Sequence, residues 1–202
     1  MEKYKFTAKT KEAALETALY ELKEEEKNII YKTEEVKTGL FGKKIQIEVI
    51  KKQDIIDFIK ETLKDITKLM GIEINTEVKE RGENINIVIF SEQNSLLIGK
   101  QGKNLEALSL IIKQILKQEI GLPFKFNLDA GEYKLKREKD LVRLAKKLAK
   151  EVQQTKEPVK LDSMNSYERR IVHNALNNWK NITTESEGEE PNRYVVLKYK
   201  GE

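Results

Sequence analysis

Gly99-Lys100-Gln101-Gly102 breaks a helical apolar pattern that otherwise runs from Gln93 to Ile120. Two glycines with two residues between them oppose one continuous helix and predict a tight reversal between two consecutive helices, Gln93 to Ile98 and Lys103 to Ile120. They also let the backbone approach a ligand with no Cβ in the way. The first turn of the second helix offers unpaired N–H groups suited to a phosphate. Lys100 and Lys103 add positive charge there. The same glycine spacing also occurs in plain helix–helix turns, so the neighbouring elements decide its meaning.

Upstream, Asp54 reads as an N-cap, and Ile55, Ile56, Phe58, Ile59, Leu63, Ile66 and Leu69 form the apolar stripe of a helix that ends before Gly71. Ile72 to Lys79 and Asn84 to Phe90 alternate as strands about the turn Glu80-Arg81-Gly82-Glu83, and Phe124 to Leu128 reads as a third strand. The order is α-β-β-α-α-β, with Leu96, Leu97, Leu105, Leu108 and Ile112 as expected core. Before it stand a strand, Tyr4 to Ala8, a helix, Lys11 to Glu25, and strands at Lys27 to Tyr31 and Lys44 to Ile50.

After it, Glu132 to Thr155 predicts a long helix whose Leu135, Leu141, Leu144, Ala145, Leu148 and Val152 face a core. A short strand at Pro158 to Asp162, a helix at Tyr167 to Trp179 and strands at Asn181 to Glu185 and Arg193 to Tyr199 complete the chain. The expectation is an α+β chain of three small domains, residues 1–52, 53–130 and 131–202, which suits its 202 residues.

Composition narrows the function. There is no cysteine and one histidine, so disulfides are excluded and a zinc site of the usual kinds cannot be assembled. The phosphate-binding ATPase pattern fails, because Lys37 stands where its first glycine is needed and Lys44 where its Ser or Thr is needed. No enzyme, cofactor or metal site is expected. No apolar run reaches the roughly 18 residues of a membrane span, and Met1 to Lys5 opens no signal peptide; a cytoplasmic protein is expected.

The overall charge, 38 Lys plus Arg against 34 Asp plus Glu, is only +4. Its distribution is uneven: Glu132 to Lys150 holds eight basic and three acidic residues, a local net of +5. Lys134, Arg137, Lys146, Lys147 and Lys150 are read either as a solvated face or as a stripe attracting phosphates without sequence choice. Tyr133, Tyr167 and Trp179 are the nearest aromatic stacking candidates, with Trp179 better suited to a core.

Arg169 and His173 stand four apart and share a helix face. Arg can fork onto a phosphate, and His can stack on a base or form hydrogen bonds. Arg170 is either a neighbouring phosphate contact or a solvated charge.

Three stretches carry resemblances. Leu96 to Leu105, in its element order, is similar to a KH domain of the bacterial type II topology, whose GxxG loop clamps nucleic-acid backbone. Asp162 to Leu176, with the tail Glu185 to Arg193, closely resembles the R-three-H domain, named for an Arg and a His with three residues between them. Lys37-Thr38-Gly39-Leu40-Phe41-Gly42 looks like the glycine-aromatic turn of a Jag N-terminal domain. Together they resemble the Jag (SpoIIIJ-associated, KhpB) family of Gram-positive bacteria, although the junction between the first two domains is very short here.

The resemblance implies a regulator that binds single-stranded RNA, or single-stranded DNA, and is linked to cell elongation and division. Gly99, Lys100, Gln101, Gly102 and Lys103 would hold the backbone, and Arg169, His173, Arg170 and Arg193 would form a second surface. It further implies a small KH-only partner (KhpA-like), or self-association through KH, and an N-terminal domain docking near a membrane insertase or cell-wall machinery. The alternative is a protein-interaction adaptor whose KH domain mainly mediates dimerisation.

Overall fold

The computed structural model describes residues 1–38, 42–82 and 84–201. The expected turn residues Gly39, Leu40, Phe41 and Glu83 lie outside the described residues.

The N-terminal elements are β1 (Tyr4–Ala8), α1 (Lys11–Leu22), β2 (Ile29–Thr38) and β3 (Gly42–Lys51), with a 3-10 turn at Glu26–Asn28 before β2. The sheet runs β1-β3-β2, with Phe6 opposite Ile47 and Tyr31 opposite Val49, all pairs antiparallel. The period of two puts Ile47 and Val49 on one buried face, where Ala14 and Ala18 of α1 are fully buried against them. Alanine at both helix positions lets α1 lie close to the sheet. Thr10 starts α1, accepting from the Ala13 N–H at 3.2 Å. On the other face Glu48, its side chain 14% exposed, is ringed by Lys32 at 3.3 Å, Lys5 at 3.8 Å and Lys3 at 4.0 Å.

Next come α2 (Lys52–Leu69), β4 (Asn75–Arg81), β5 (Asn84–Phe90), α3 (Asn94–Ile98), a 3-10 turn at Lys100–Gly102, α4 (Lys103–Ile120) and β6 (Phe126–Ala130). This is the expected α-β-β-α-α-β order, and the sheet runs β4-β5-β6. Two details differ from expectation. Lys51 caps α2 without a side-chain bond to the helix N-terminus, and Asp54 lies in its first turn, where a carboxylate still suits the helix dipole. The buried row steps by four, Ile55, Ile59, Leu63, Thr67, so the stripe ends on Thr67 while Leu69 is 90% exposed.

The chain closes with α5 (Tyr133–Thr155), β7 (Val159–Lys160), α6 (Ser166–Leu176), β8 (Ile182–Glu187) and β9 (Tyr194–Tyr199), the sheet running β7-β9-β8. One core gathers Leu141, Ala145, Ala149 and Val152 of α5, Val172 and Leu176 of α6, Leu161, Met164, Ile182, Val195 and Leu197. Each aliphatic side chain fully buried here is worth about 1.5–3 kcal/mol, so this cluster outweighs any surface ion pair on the same elements. Leu135 and Leu144 were expected in the core but are 52% and 42% exposed. At about 100° per residue both fall well to the side of the row through Leu141, Ala145 and Val152.

Contacts group the chain into two compact units, residues 1–85 with 107–127, and residues 86–106 with 128–202. The second unit therefore contains the Gly99–Gly102 turn together with the whole Arg169/His173 region.

Candidate nucleic-acid interface

The turn between α3 and α4 is set by two left-handed glycines, Gly99 at φ +70° and Gly102 at φ +82°. An added Cβ on Gly99 would stand 2.5 Å from the Asn104 side chain, and one on Gly102 would stand 2.7 Å from Cε1 of Tyr133. Both positions thus require glycine for conformation and for space. Asn104 is fixed by donating from Nδ2 to the Leu96 carbonyl at 2.9 Å. Gly102 is buried, and its N–H donates to the Gly99 carbonyl at 3.3 Å. Lys100 and Lys103 are exposed at the turn. Leu97, Leu105, Leu108 and Ile112 are buried as expected, whereas Leu96 is 55% exposed.

Gln101 carries the third left-handed backbone of the turn, at φ 55° and ψ 29°. Its Nε2 donates to Oδ2 of Asp162 at 2.9 Å. Tyr133, a stacking candidate in sequence, packs on Gly102 instead; its hydroxyl is buried without a hydrogen bond.

Asn165 caps α6 by accepting from the Glu168 N–H at 3.0 Å. Arg169 is only 8% exposed. Its Nη1 donates to the Met164 carbonyl at 3.1 Å and to Oε1 of Glu190 at 2.7 Å. The fork expected to face a phosphate is therefore turned inward, where it ties α6 to the turn between β8 and β9. The Met164 carbonyl and the Glu190 carboxylate meet the demand of a buried guanidinium for acceptors.

His173 is half-buried between Thr184 and Ser186 of β8: Nδ1 lies 2.6 Å from Thr184 Oγ1 and Nε2 lies 2.9 Å from Ser186 Oγ. Burial, and then the nearby Arg169 charge, hold its pKa below the ordinary imidazole value. Arg170 is exposed, and Arg193 is half-buried with its Nε making no hydrogen bond.

The basic residues of α5 divide in two. Arg137 leaves the stripe: its Nε donates to Oε1 of Glu168 at 2.6 Å, and the Glu168 side chain is 8% exposed. A buried carboxylate needs such a partner. Lys146, Lys147 and Lys150 are exposed on the side away from Leu141 and Ala145, as are Lys136 and Lys139. Lys134 is exposed at the first turn. Tyr167 is 62% exposed, and Trp179 packs on the C-terminal core.

Residues 139–199 match the R-three-H domain family. The chain is also 34% identical over 202 residues to the RNA-binding protein KhpB of Clostridium symbiosum, an alignment covering 97% of this chain and 91% of that protein. The chain belongs to the KhpB family. It is 36% identical over 165 residues to the RNA-binding protein KhpB of Bacillus subtilis (strain 168), covering 80% of this chain and 79% of that one. The RNA-binding protein KhpB of Lactiplantibacillus plantarum is 32% identical over 132 residues, which are 65% of this chain and 41% of that longer relative.

Within this KhpB-family chain, sequence reasoning missed Asn104, Asp162, Glu168 and Glu190 as partners of the expected site residues. Only Asn104 is near its partner in sequence. The pairs Gln101–Asp162 and Arg137–Glu168 span 61 and 31 residues, and no local pattern announces them.

Among the described residues no helix is long and apolar enough to cross a membrane.

Proposed function

We propose that this chain is a single-stranded RNA-binding regulator in which the Gly99–Gly102 turn of a KH fold seats the sugar-phosphate backbone. The observation that carries this reading is the pair of left-handed glycines whose Cβ positions are already occupied by Asn104 and Tyr133. They fix a tight turn flanked by the exposed Lys100 and Lys103. The name RNA-binding protein of the KhpB relatives supports the ligand class.

The R-three-H part adds the second contact. Here Arg169 acts by holding α6 against the β8–β9 turn, and the half-exposed His173 and the exposed Arg170 meet the strand. Lys146, Lys147 and Lys150 add charge without base choice. Two modest contacts on one strand raise affinity beyond either alone.

The test is fluorescence anisotropy of a labelled single-stranded RNA with the wild type and with Lys100→Asp/Gln101→Asp. Circular dichroism confirms that both are folded. Loss of most affinity in the folded variant supports the clamp; equal binding by the two proteins refutes it.

A second reading rests on α4, where Leu110 and Ile111 are 58% and 47% exposed. An apolar face of this kind suits self-association or a small KH partner, and light scattering with Leu110→Lys/Ile111→Lys tests it. A monomeric wild type with no KH partner bound contradicts it.

A further inference from the structure

Gln101 is a non-glycine residue held at φ 55° in the middle of the turn. That conformation costs an ordinary residue about 1–2 kcal/mol, a cost that a bond from outside the turn helps to offset. Only one side-chain bond holds it among the described residues: Gln101 Nε2 to Asp162 Oδ2, at 2.9 Å.

Asp162 stands on firm ground. The Leu161 N–H donates to the Val195 carbonyl at 2.9 Å, and the Met164 N–H to the Arg193 carbonyl at 3.0 Å. The loop bearing Asp162 is thereby fastened on both sides to β9 and the residue before it. Tyr133 supports the same turn beneath Gly102.

We propose that Asp162 is a positioning residue for the GxxG turn: a carboxylate from the R-three-H region holds Gln101 left-handed, so the turn is formed before RNA arrives. This rests on the reading of the turn as a backbone clamp. A preformed turn saves the ordering cost at binding, which raises affinity without a new contact. The carboxylate opposes this by repelling phosphates, so the two effects are separable by substitution. Asparagine keeps an acceptor for Gln101 and removes the charge; alanine removes both.

The expected order of affinity for single-stranded RNA is Asp162→Asn at or above wild type, and Asp162→Ala about two- to tenfold below Asp162→Asn, the worth of one exposed hydrogen bond. In a Gln101→Ala background, Asp162→Ala should bring no further loss. Equal affinities for the two Asp162 variants would overturn the proposal, since charge alone would then explain both.

A second readout needs no RNA. Hydrogen exchange of the Gly102 amide, bonded to Gly99 in the turn, should quicken in Asp162→Ala and not in Asp162→Asn. Unchanged exchange in both overturns the positioning role. A wild type that binds no RNA overturns the clamp, and the exchange experiment still decides whether Asp162 orders the turn.

Discussion

Replacing Gly102 by alanine tests the geometry of the turn by stability alone. The residue sits at φ +82°, and its new Cβ would stand 2.7 Å from Cε1 of Tyr133. The left-handed backbone costs alanine about 1–2 kcal/mol. Carbon atoms in good contact stand about 3.5–4.0 Å apart, so Tyr133 must move by most of an ångström. Its ring is half-buried, with the hydroxyl enclosed, and overpacking of this kind costs about 1–3 kcal/mol. The narrower unfolded ensemble of alanine returns about 0.4–1 kcal/mol. The net expectation is a loss of about 1.5–4 kcal/mol, a large share of the roughly 5–15 kcal/mol that holds a domain folded.

Urea unfolding followed by far-ultraviolet circular dichroism measures it. In a Tyr133→Ala background the packing part should vanish and the backbone part, less the unfolded-state return, remain, so the cost of Gly102→Ala should fall to about 0.5–1.5 kcal/mol. A cost below about 0.5 kcal/mol in the wild-type background, the range of ordinary surface changes, would refute this account of the turn. So would an equal cost in both backgrounds.

Other variants test the remaining contacts. Arg137→Ala leaves the Glu168 carboxylate, 8% exposed, without its 2.6 Å partner; a loss of about 1–3 kcal/mol in urea unfolding is expected, and Glu168→Gln in the same background should recover part of it. Asn165→Ala removes the α6 cap, for a loss of about 0.5–2 kcal/mol by the same assay. His173, with its pKa lowered in the fold by burial and then by Arg169, binds its proton more readily when unfolded. Its contribution is therefore fully present above the unfolded imidazole pKa of about 6.5 and is lost as pH falls below it; His173→Gln should flatten that part of the stability–pH curve. Lys146→Gln/Lys147→Gln/Lys150→Gln should lower the slope of log affinity against log salt by about 2 if each lysine meets one RNA phosphate.

How much of this was legible in sequence depends on distance along the chain. The Gly99–Gly102 turn was readable because its cause is local: glycine at two positions, with apolar helical spacing on either side. The element order followed from periodicity for the same reason. Leu69 and Leu135 misled because apolarity says nothing of which helix face is used, and the buried rows pass through Thr67 and Leu141 instead. Arg169 misled differently. A basic residue in a known motif suggests an outward charge, but Glu190, 21 residues on, and the Met164 carbonyl draw it inward. The partner of Gln101 was invisible because folding alone brings residue 162 to residue 101.

The central claim is that the Gly99–Gly102 turn itself takes the RNA backbone, and amide NMR spectra of the full chain during titration with a single-stranded RNA test it most directly. The account predicts that the largest shifts fall on the amides of Gly99 to Lys103, with smaller ones at His173 and Arg170. Saturable binding that leaves the Gly99 to Lys103 amides unmoved would contradict it.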